Sequence, residues 1–342
     1  MTASWRKFVL LVLLGAHLIV AFPGFFAPYD FSQQHRDFPY APPTRIHFLD
    51  SSGKFHLWPF VRPLRPSEDE HTAYLEDFTH EYPLRLFVAG TPYTVCGAWK
   101  ARLHLLAVDA PGQLFLFGTD EFGRDEFSRL LYGARISLLA GILAAAAAIS
   151  VGATLGLLSG FYGGWLDASV MRLAELFLAL PWLYLLFAVR AILPLDIKTT
   201  DAFLLLVAVV GLVGWARPAR LVRGVVLGAK ERNFVQAAKA MGASDAHLLR
   251  RHILPETYGV LLTTAALLVP QFILVEVTLS FLGLGVGEPI PSWGNLLAEL
   301  QHYAVLSSYW WMYLPALALV FLFLAYHSVS SALQEKLSEA HA

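Results

Sequence analysis

The sequence is short of charge and nearly free of cysteine. Its 342 residues hold a single cysteine, Cys96, so neither an intrachain disulfide framework nor a cysteine-rich metal site can be built. Charged residues make up 15% of the chain, against about 25% in ordinary soluble domains, while 56% is hydrophobic. A net charge of −1 leaves no basic field for a nucleic acid. No G-x-x-x-x-G-K-[ST] occurs, so the chain has no P-loop with which to bind ATP, and Gly283-x-Gly285-x-Gly287 lacks the strand–helix context of a nucleotide fingerprint. Together these exclude a disordered chain, a nucleic-acid binder and an ordinary cytosolic enzyme. What they leave is a polytopic membrane protein, and the apolar stretches, read as helices, make the expected fold class all-α.

A spanning helix needs about 20 mostly apolar residues. Six stretches qualify: Phe8 to Phe22, Ile136 to Gly160, Val170 to Leu193, Ala202 to Ala216 (running on toward Arg220), Tyr258 to Val286 and Tyr309 to Ser328. The first reads as an anchor, with Arg6 and Lys7 as its basic flank. The segment Arg217 to Thr257 carries eight Lys or Arg, whereas Gly287 to Ser308 carries none. The positive-inside rule therefore puts the first in the cytoplasm and the second outside. Six spans then place both termini inside and the long segment after Pro23 outside. Pro181, Pro270 and Pro315 are expected to kink their helices, and Trp182, Trp310 and Trp311 to serve as interfacial anchors or packing residues.

The chain divides into an anchor helix over 1–30, a small β-rich extracytoplasmic module over 31–117 and a five-helix core over 118–342. In the module, prolines cluster from Pro39 to Pro66, and the acidic run Glu68, Asp69, Glu70 follows. Short apolar runs at Leu84–Val88, Tyr93–Cys96, Leu103–Val108 and Leu114–Phe117 alternate with turn residues, the pattern of short strands. The histidines His35, His47, His56, His71, His80 and His104 include no pair at ligand spacing, so no metal site is expected.

Between the fourth and fifth spans runs Asn233-Phe-Val-Gln236-Ala237-Ala238-Lys-Ala-Met-Gly242-Ala243-Ser244-Asp245, followed by His252-Ile253-Leu254-Pro255. This predicts helix, break, helix. Asn233 and Gln236 form a capping box. Ala237 and Ala238 give a small face, and Gly242 a left-handed C-terminal position. Ser244 caps the second helix and Pro255 ends it. A plain surface hairpin would look the same, but a small face on a basic flank also suits docking to a protein.

This loop resembles the "EAA" motif of ATP-binding-cassette importer permeases, in which it is the coupling helix seated in a groove of the ATPase subunit; Gln236 stands where the family usually has Glu. A second block narrows the resemblance. Gly118-Thr119-Asp120-Glu-Phe-Gly123-Arg124-Asp125, with Arg129 and Arg135 in Ser128-Arg-Leu-Leu-Tyr-Gly-Ala-Arg-Ile-Ser-Leu138, is similar to the block of the dipeptide, oligopeptide and nickel permeases, in particular their C-type subunit. Ala27-Pro-Tyr-Asp30, Phe281-Leu-Gly-Leu-Gly-Val286 and Pro291-Ser-Trp-Gly294 match it too. The likeness covers 1–30 and about 115–342, and residues 46–115 depart as an insertion.

The resemblance implies a permease subunit of the bacterial inner membrane, itself non-catalytic. Its partners would be a second, homologous permease subunit (a heterodimer), two ATPase subunits holding ATP and Mg, and an external substrate-binding protein. The insertion inherits no role from the resemblance and is expected to contact that binding protein or to cap the outer mouth. Peptides are the expected cargo, with nickel or another small solute as alternatives. A self-sufficient secondary transporter or channel would show inverted repeats, broken helices or a filter, and none is visible. A membrane enzyme would need a catalytic set at depth, and His80-Glu81 lacks a second histidine. Glu276 stands within the fifth span as a pathway residue or a buried helix contact. Arg172 and Glu175 are spaced as an ion pair. Ala148, Gly152, Gly156 and Gly160 form a small-residue stripe for close helix packing.

Overall fold

The computed structural model describes residues 3–67, 74–95, 99–192 and 199–341. Thirteen α-helices are described. In chain order they are α1 Ala3–Ala21, α2 Pro23–Phe26, α3 Glu126–Tyr162, α4 Gly164–Ala179, α5 Trp182–Ile192, α6 Thr199–Gly214, α7 Ala216–Ala229, α8 Asn233–Ala240, α9 Asp245–His247, α10 Leu254–Phe281, α11 Trp293–Ala298, α12 Tyr303–Ser308 and α13 Leu314–His341. Six strands precede α3: β1 Ile46–Leu49, β2 Phe55–Val61, β3 Leu64–Pro66, β4 Tyr74–Glu76, β5 Tyr82–Val95 and β6 Trp99–Val108. The chain forms two compact units. One contains Met1–Leu11, Leu138–Thr278 and Leu322–Ala342; the other contains Val12–Ser137 and Leu279–Phe321.

Four helical stretches among the described residues are long and apolar enough to cross a membrane: Glu126–Tyr162, Phe203–Ala229, Asp245–Phe281 and Trp310–Glu335. The third expected span is instead two helices parted at Leu180, whose extended backbone precedes Pro181. Proline disfavours the α conformation in the residue before it, so Pro181 breaks this segment rather than kinking it. Pro315 sits in the first turn of α13, where no partner for its missing N–H is needed, whereas Pro270 lies inside α10. The segment 217–257, read as a loop from its charge, is mostly helix. Ala216, Ala219, Val222 and Val226 bury one face of α7 while its arginines fall on other faces, so the basic count describes a polar helix surface.

In the unit containing α7, the small-residue stripe lets α3 approach α7 closely. A Cβ on Gly152 would lie 2.6 Å from the Trp215 carbonyl oxygen, one on Gly156 2.5 Å from that of Ala219, and one on Gly160 2.9 Å from the Val226 side chain. Ala148 is buried at the head of the stripe. Arg223 of α7 then grips Asp167 of α4 with Nε and Nη2 at 2.5 and 2.6 Å.

In the other unit, β1, β2, β5 and β6 form one antiparallel sheet in that order, and β3 pairs with β4. The run expected as a strand at 84–88 and the described part, 93–95, of the next one merge into β5, with a bulge between Ala89 and Tyr93, so Gly90 and Pro92 mark an irregularity in a strand rather than a turn. Leu114–Phe117 is buried but is not a strand. Its backbone is satisfied otherwise: Leu114 N–H donates to the Tyr29 hydroxyl, and Phe115 exchanges bonds with Thr44 Oγ1 and the Thr44 N–H. Cys96, His71 and the acidic run 68–70 lie outside the described residues.

Candidate functional site

Two clusters gather most of the residues that the motifs single out. The first is the hairpin between the spans Phe203–Ala229 and Asp245–Phe281. Asn233 is the first residue of α8, not its cap; the capping position falls to Arg232, which offers no side-chain bond. Gln236 does not close a capping box but reaches back to donate to the Lys230 carbonyl at 2.8 Å. Gly242 has φ +85°, a conformation that a side chain resists, and it lets the Ala243 N–H close on the Ala238 carbonyl. Ser244 Oγ accepts from the His247 N–H and caps the short α9.

Pro255 does not end that helix. A π turn over Leu248–Ile253 intervenes, in which the Leu254 N–H bonds five residues back to Leu249, and the chain continues into α10. The wider turn makes room for a ring that would clash in a regular helix.

The hairpin is rooted and open at once. Val235, Ala238 and Leu248 are buried together against Phe161 and Ala243, and Ile253 packs with Val222, Val226 and Ala229. Lys230 Nζ donates to the Gly160 carbonyl at 3.3 Å, and Arg232 pairs with Glu256 at 3.0 Å. Ala237 and Ala238 therefore do not share a face: a step of about 100° turns one outward and the other in. The outward stripe is Phe234, Ala237 and Met241, all exposed, Met241 at 83%. Gln236, Gly242, Ser244, Asp245 and Pro255 are exposed as well, and Ala243 and Leu254 half-buried.

The second cluster is the block before α3. Asp120 is fully buried; its Oδ1 accepts from the N–H groups of Phe122 and Arg124, and its Oδ2 from Arg124 Nε at 2.5 Å. Arg129, also fully buried, places Nε 3.4 Å from the same oxygen. Glu288 spans both guanidiniums, accepting from Arg124 Nη1 at 2.8 Å and Arg129 Nη2 at 2.9 Å. Glu126 and Glu299 complete the set. One oxygen each of Asp120, Glu126 and Glu299 lies within 4.8 Å of the others, the spacing a cation site would have.

Burial governs how these acids titrate. It pushes Glu299 up to about 8, reinforced by the charge on Asp120, and it raises Asp125 to about 7 against the hydrogen bonds from Ser128. Burial pushes Glu288 up too, but the charges and hydrogen bonds of Arg129 and Arg124 outweigh it and hold its carboxyl low.

The rest of the block is scaffold. Asp125 Oδ2 caps the start of α3 through the Ser128 N–H and Oγ. Thr119 Oγ1 donates to the Phe38 carbonyl and accepts from the Ala41 N–H, tying 118–125 to residues ahead of the sheet. Gly118 and Gly123 have φ near +70°, and a Cβ on Gly123 would fall 2.0 Å from the His35 carbonyl oxygen. Ser292 caps α11, Trp293 Nε1 donates to the Leu130 carbonyl, and Trp311 Nε1 donates to that of Thr119. Motifs some 160 residues apart in sequence thus meet. Arg135, half-buried, makes none of these bonds.

Glu126, Glu288 and Glu299 were not picked out from the sequence. Glu288 has one signal, its place between two motifs; the other two have none. Glu276 is fully buried in α10. Arg172 and Glu175 pair at 3.2 Å on an exposed face. Of the module's histidines, His47, His56 and His80 pair with Glu76, Asp50 and Asp77, and His104 bonds the Ala27 and Thr91 carbonyls.

Apolar helices of spanning length and a glycine-packed helix pair define a multi-pass membrane protein, and a rooted hairpin on it carries an outward apolar stripe. The family described as "Binding-protein-dependent transport system inner membrane component" matches residues 152–339, and the chain belongs to it. Among curated proteins it is 34% identical over 230 residues to the dipeptide transport system permease protein DppC of Alkalihalophilus pseudofirmus, covering 67% of this chain and 73% of that one. It is 36% identical to the oligopeptide transport system permease protein OppC of Bacillus subtilis (68% and 75% covered). It is 35% identical to the glutathione transport system permease protein GsiD of Pectobacterium atrosepticum (67% and 74%). A crystal structure of an amino acid ABC transporter with histidines gives a TM-score of 0.44 at 16% identity over 61% of this chain and 94% of that one, a likeness too loose to define the helix arrangement.

Proposed function

We propose that this chain forms half of the translocation pathway of an ATP-driven importer for peptides and is coupled to its motor through residues 233–255. The observation that carries the coupling is the exposed stripe Phe234, Ala237 and Met241 on a hairpin whose opposite face is buried. Apolar side chains held in water on a rooted element gain free energy when a partner groove covers them. The peptide cargo follows from the relatives, whose names specify dipeptide, oligopeptide and glutathione transport.

In this reading α1 and the α4–α5 pair supply two further spans, making six, and both termini lie in the cytoplasm. ATP and Mg belong to two ATPase subunits. A second, homologous permease completes the pathway, and an external binding protein delivers the cargo. The sheet β1-β2-β5-β6 lies outside; Leu57 and Trp99 are 87% and 73% exposed there, an apolar surface suited to that binding protein. Peptide uptake in vesicles from cells carrying the chain with an ATPase, a second permease and a binding protein, those three absent in the control, tests the assignment: ATP-dependent accumulation of a labelled dipeptide is expected, and accumulation driven by an ion gradient without ATP would overturn it.

A further inference from the structure

A cavity of about 180 Å³ opens between α7, α10 and the α4–α5 break. Its walls are mostly apolar, Phe177, Trp182, Val213 and Phe272 among them, and its polar side chains include Gln271 and one cation, Arg217. Arg217 is exposed and makes no hydrogen bond or ion pair among the described residues. The contrast with its neighbours is direct: Arg223 is held by Asp167, and Arg232 by Glu256.

The stretch Phe203–Ala229 is apolar over α6 and polar over α7, where Arg217, Arg220 and Arg223 follow one another at three-residue steps. Arg217 stands where the apolar half gives way to the basic half, and it is the one of the three that lines the cavity. A guanidinium at the edge of a span is tolerated where it faces a cavity and finds an opposite charge.

We infer that Arg217, with Gln271 beside it, receives a carboxylate of the transported solute. The inference rests on the permease reading above and deepens it: the membrane path itself, and not only the delivering protein, selects for an anionic terminus. A guanidinium presents a planar fork of donors that matches a carboxylate in two parallel hydrogen bonds. The Gln271 amide adds a neutral donor, and the apolar walls accept the side chain next to the terminus. A carboxamide keeps the shape and loses the charge.

The test separates the site from the cargo. In inside-out membrane vesicles carrying the full chain with Cys96→Ser, Val213→Cys places a thiol on the cavity wall. Its rates of modification by an anionic and a cationic thiosulfonate of similar size are compared. With Arg217 present the anionic reagent is expected to be favoured by about tenfold relative to an Arg217→Gln background, while Arg220→Gln, outside the cavity lining, leaves the ratio unchanged. An unchanged ratio in Arg217→Gln, or a thiol that neither reagent reaches in protein that remains monodisperse, overturns the inference. Uptake of a dipeptide against its C-terminal amide forms the second arm. Wild type is expected to prefer the free carboxylate and Arg217→Gln to lose that preference. If the reagent ratio responds to Arg217 but no peptide is taken up, the anion site stands and the peptide reading falls; if peptides enter and neither the ratio nor the preference responds, the peptide reading stands and the inference falls.

Discussion

The hairpin at 230–253 and the charged block at 118–129 use polar residues in opposite ways. In the hairpin, charge stays at the surface, the core is a few aliphatic side chains, and an apolar stripe is left exposed on the outer face. In the block, Asp120, Arg124, Arg129 and Glu126 are buried, and motifs distant in sequence are held together by ionic contacts. The hairpin can therefore be altered on its outer face without unfolding the chain. The block is different: apart from the half-exposed Glu288, its charges are buried, so removing Arg129 leaves Asp120 short of a counter-charge where water does not reach.

The comparison can be broken at several points, beginning with the block. Arg129→Ala leaves Asp120 and Glu288 short of a partner, and breaking a buried ionic set of this kind costs about 3–5 kcal/mol. Thermal unfolding in detergent should show a large loss of stability; a melting temperature like that of wild type would show that the block is not held by charge. Gly156→Val forces a side chain toward the Ala219 carbonyl and is expected to cost about 1–3 kcal/mol in the same assay, as overpacked cores do. A neutral result there would mean that α3 and α7 separate more easily than their contact implies.

A smaller effect is one of pH. Glu299, near 8 in the fold against an ordinary 4.5, holds a proton that the unfolded chain has already released. The folded state then binds more protons between those values, so stability falls as pH rises through that window. Glu299→Gln should flatten the profile of melting temperature against pH between about 5 and 8; an unaltered slope would assign it to other groups, Asp125 first. The least effect is expected from Arg172→Ala, since the exposed pair with Glu175 is worth about 0–1 kcal/mol.

Much of the frame was legible in the sequence because it rests on composition and small-residue spacing. Four of the six apolar runs became the long helices, and the small-residue stripe from Gly152 to Gly160 became the contact of α3 with α7. Gly242 and Ser244 were legible because left-handed and capping positions have strong residue preferences. What escaped was tertiary. The basic run 217–230 hid a helix because its buried face is only alanine, valine and one proline, Pro218. Asn233 looked like a cap, but the chain turns one residue earlier. Pro255 looked like a stop, but a π turn carries the helix past it. Glu288 and Glu299 join Arg129 from more than 150 residues away, and no local period announces that.

The claim that everything else depends on is that the outer stripe of the hairpin docks a motor. The direct measurement is co-purification of an ATPase with the tagged full chain, comparing wild type with Ala237→Glu, a change confined to the exposed side of α8. A P-loop ATPase that accompanies wild type and is lost from the variant, with both equally monodisperse and equally stable to heat, is the predicted result. An ATPase retained by Ala237→Glu at wild-type yield and activity would contradict it.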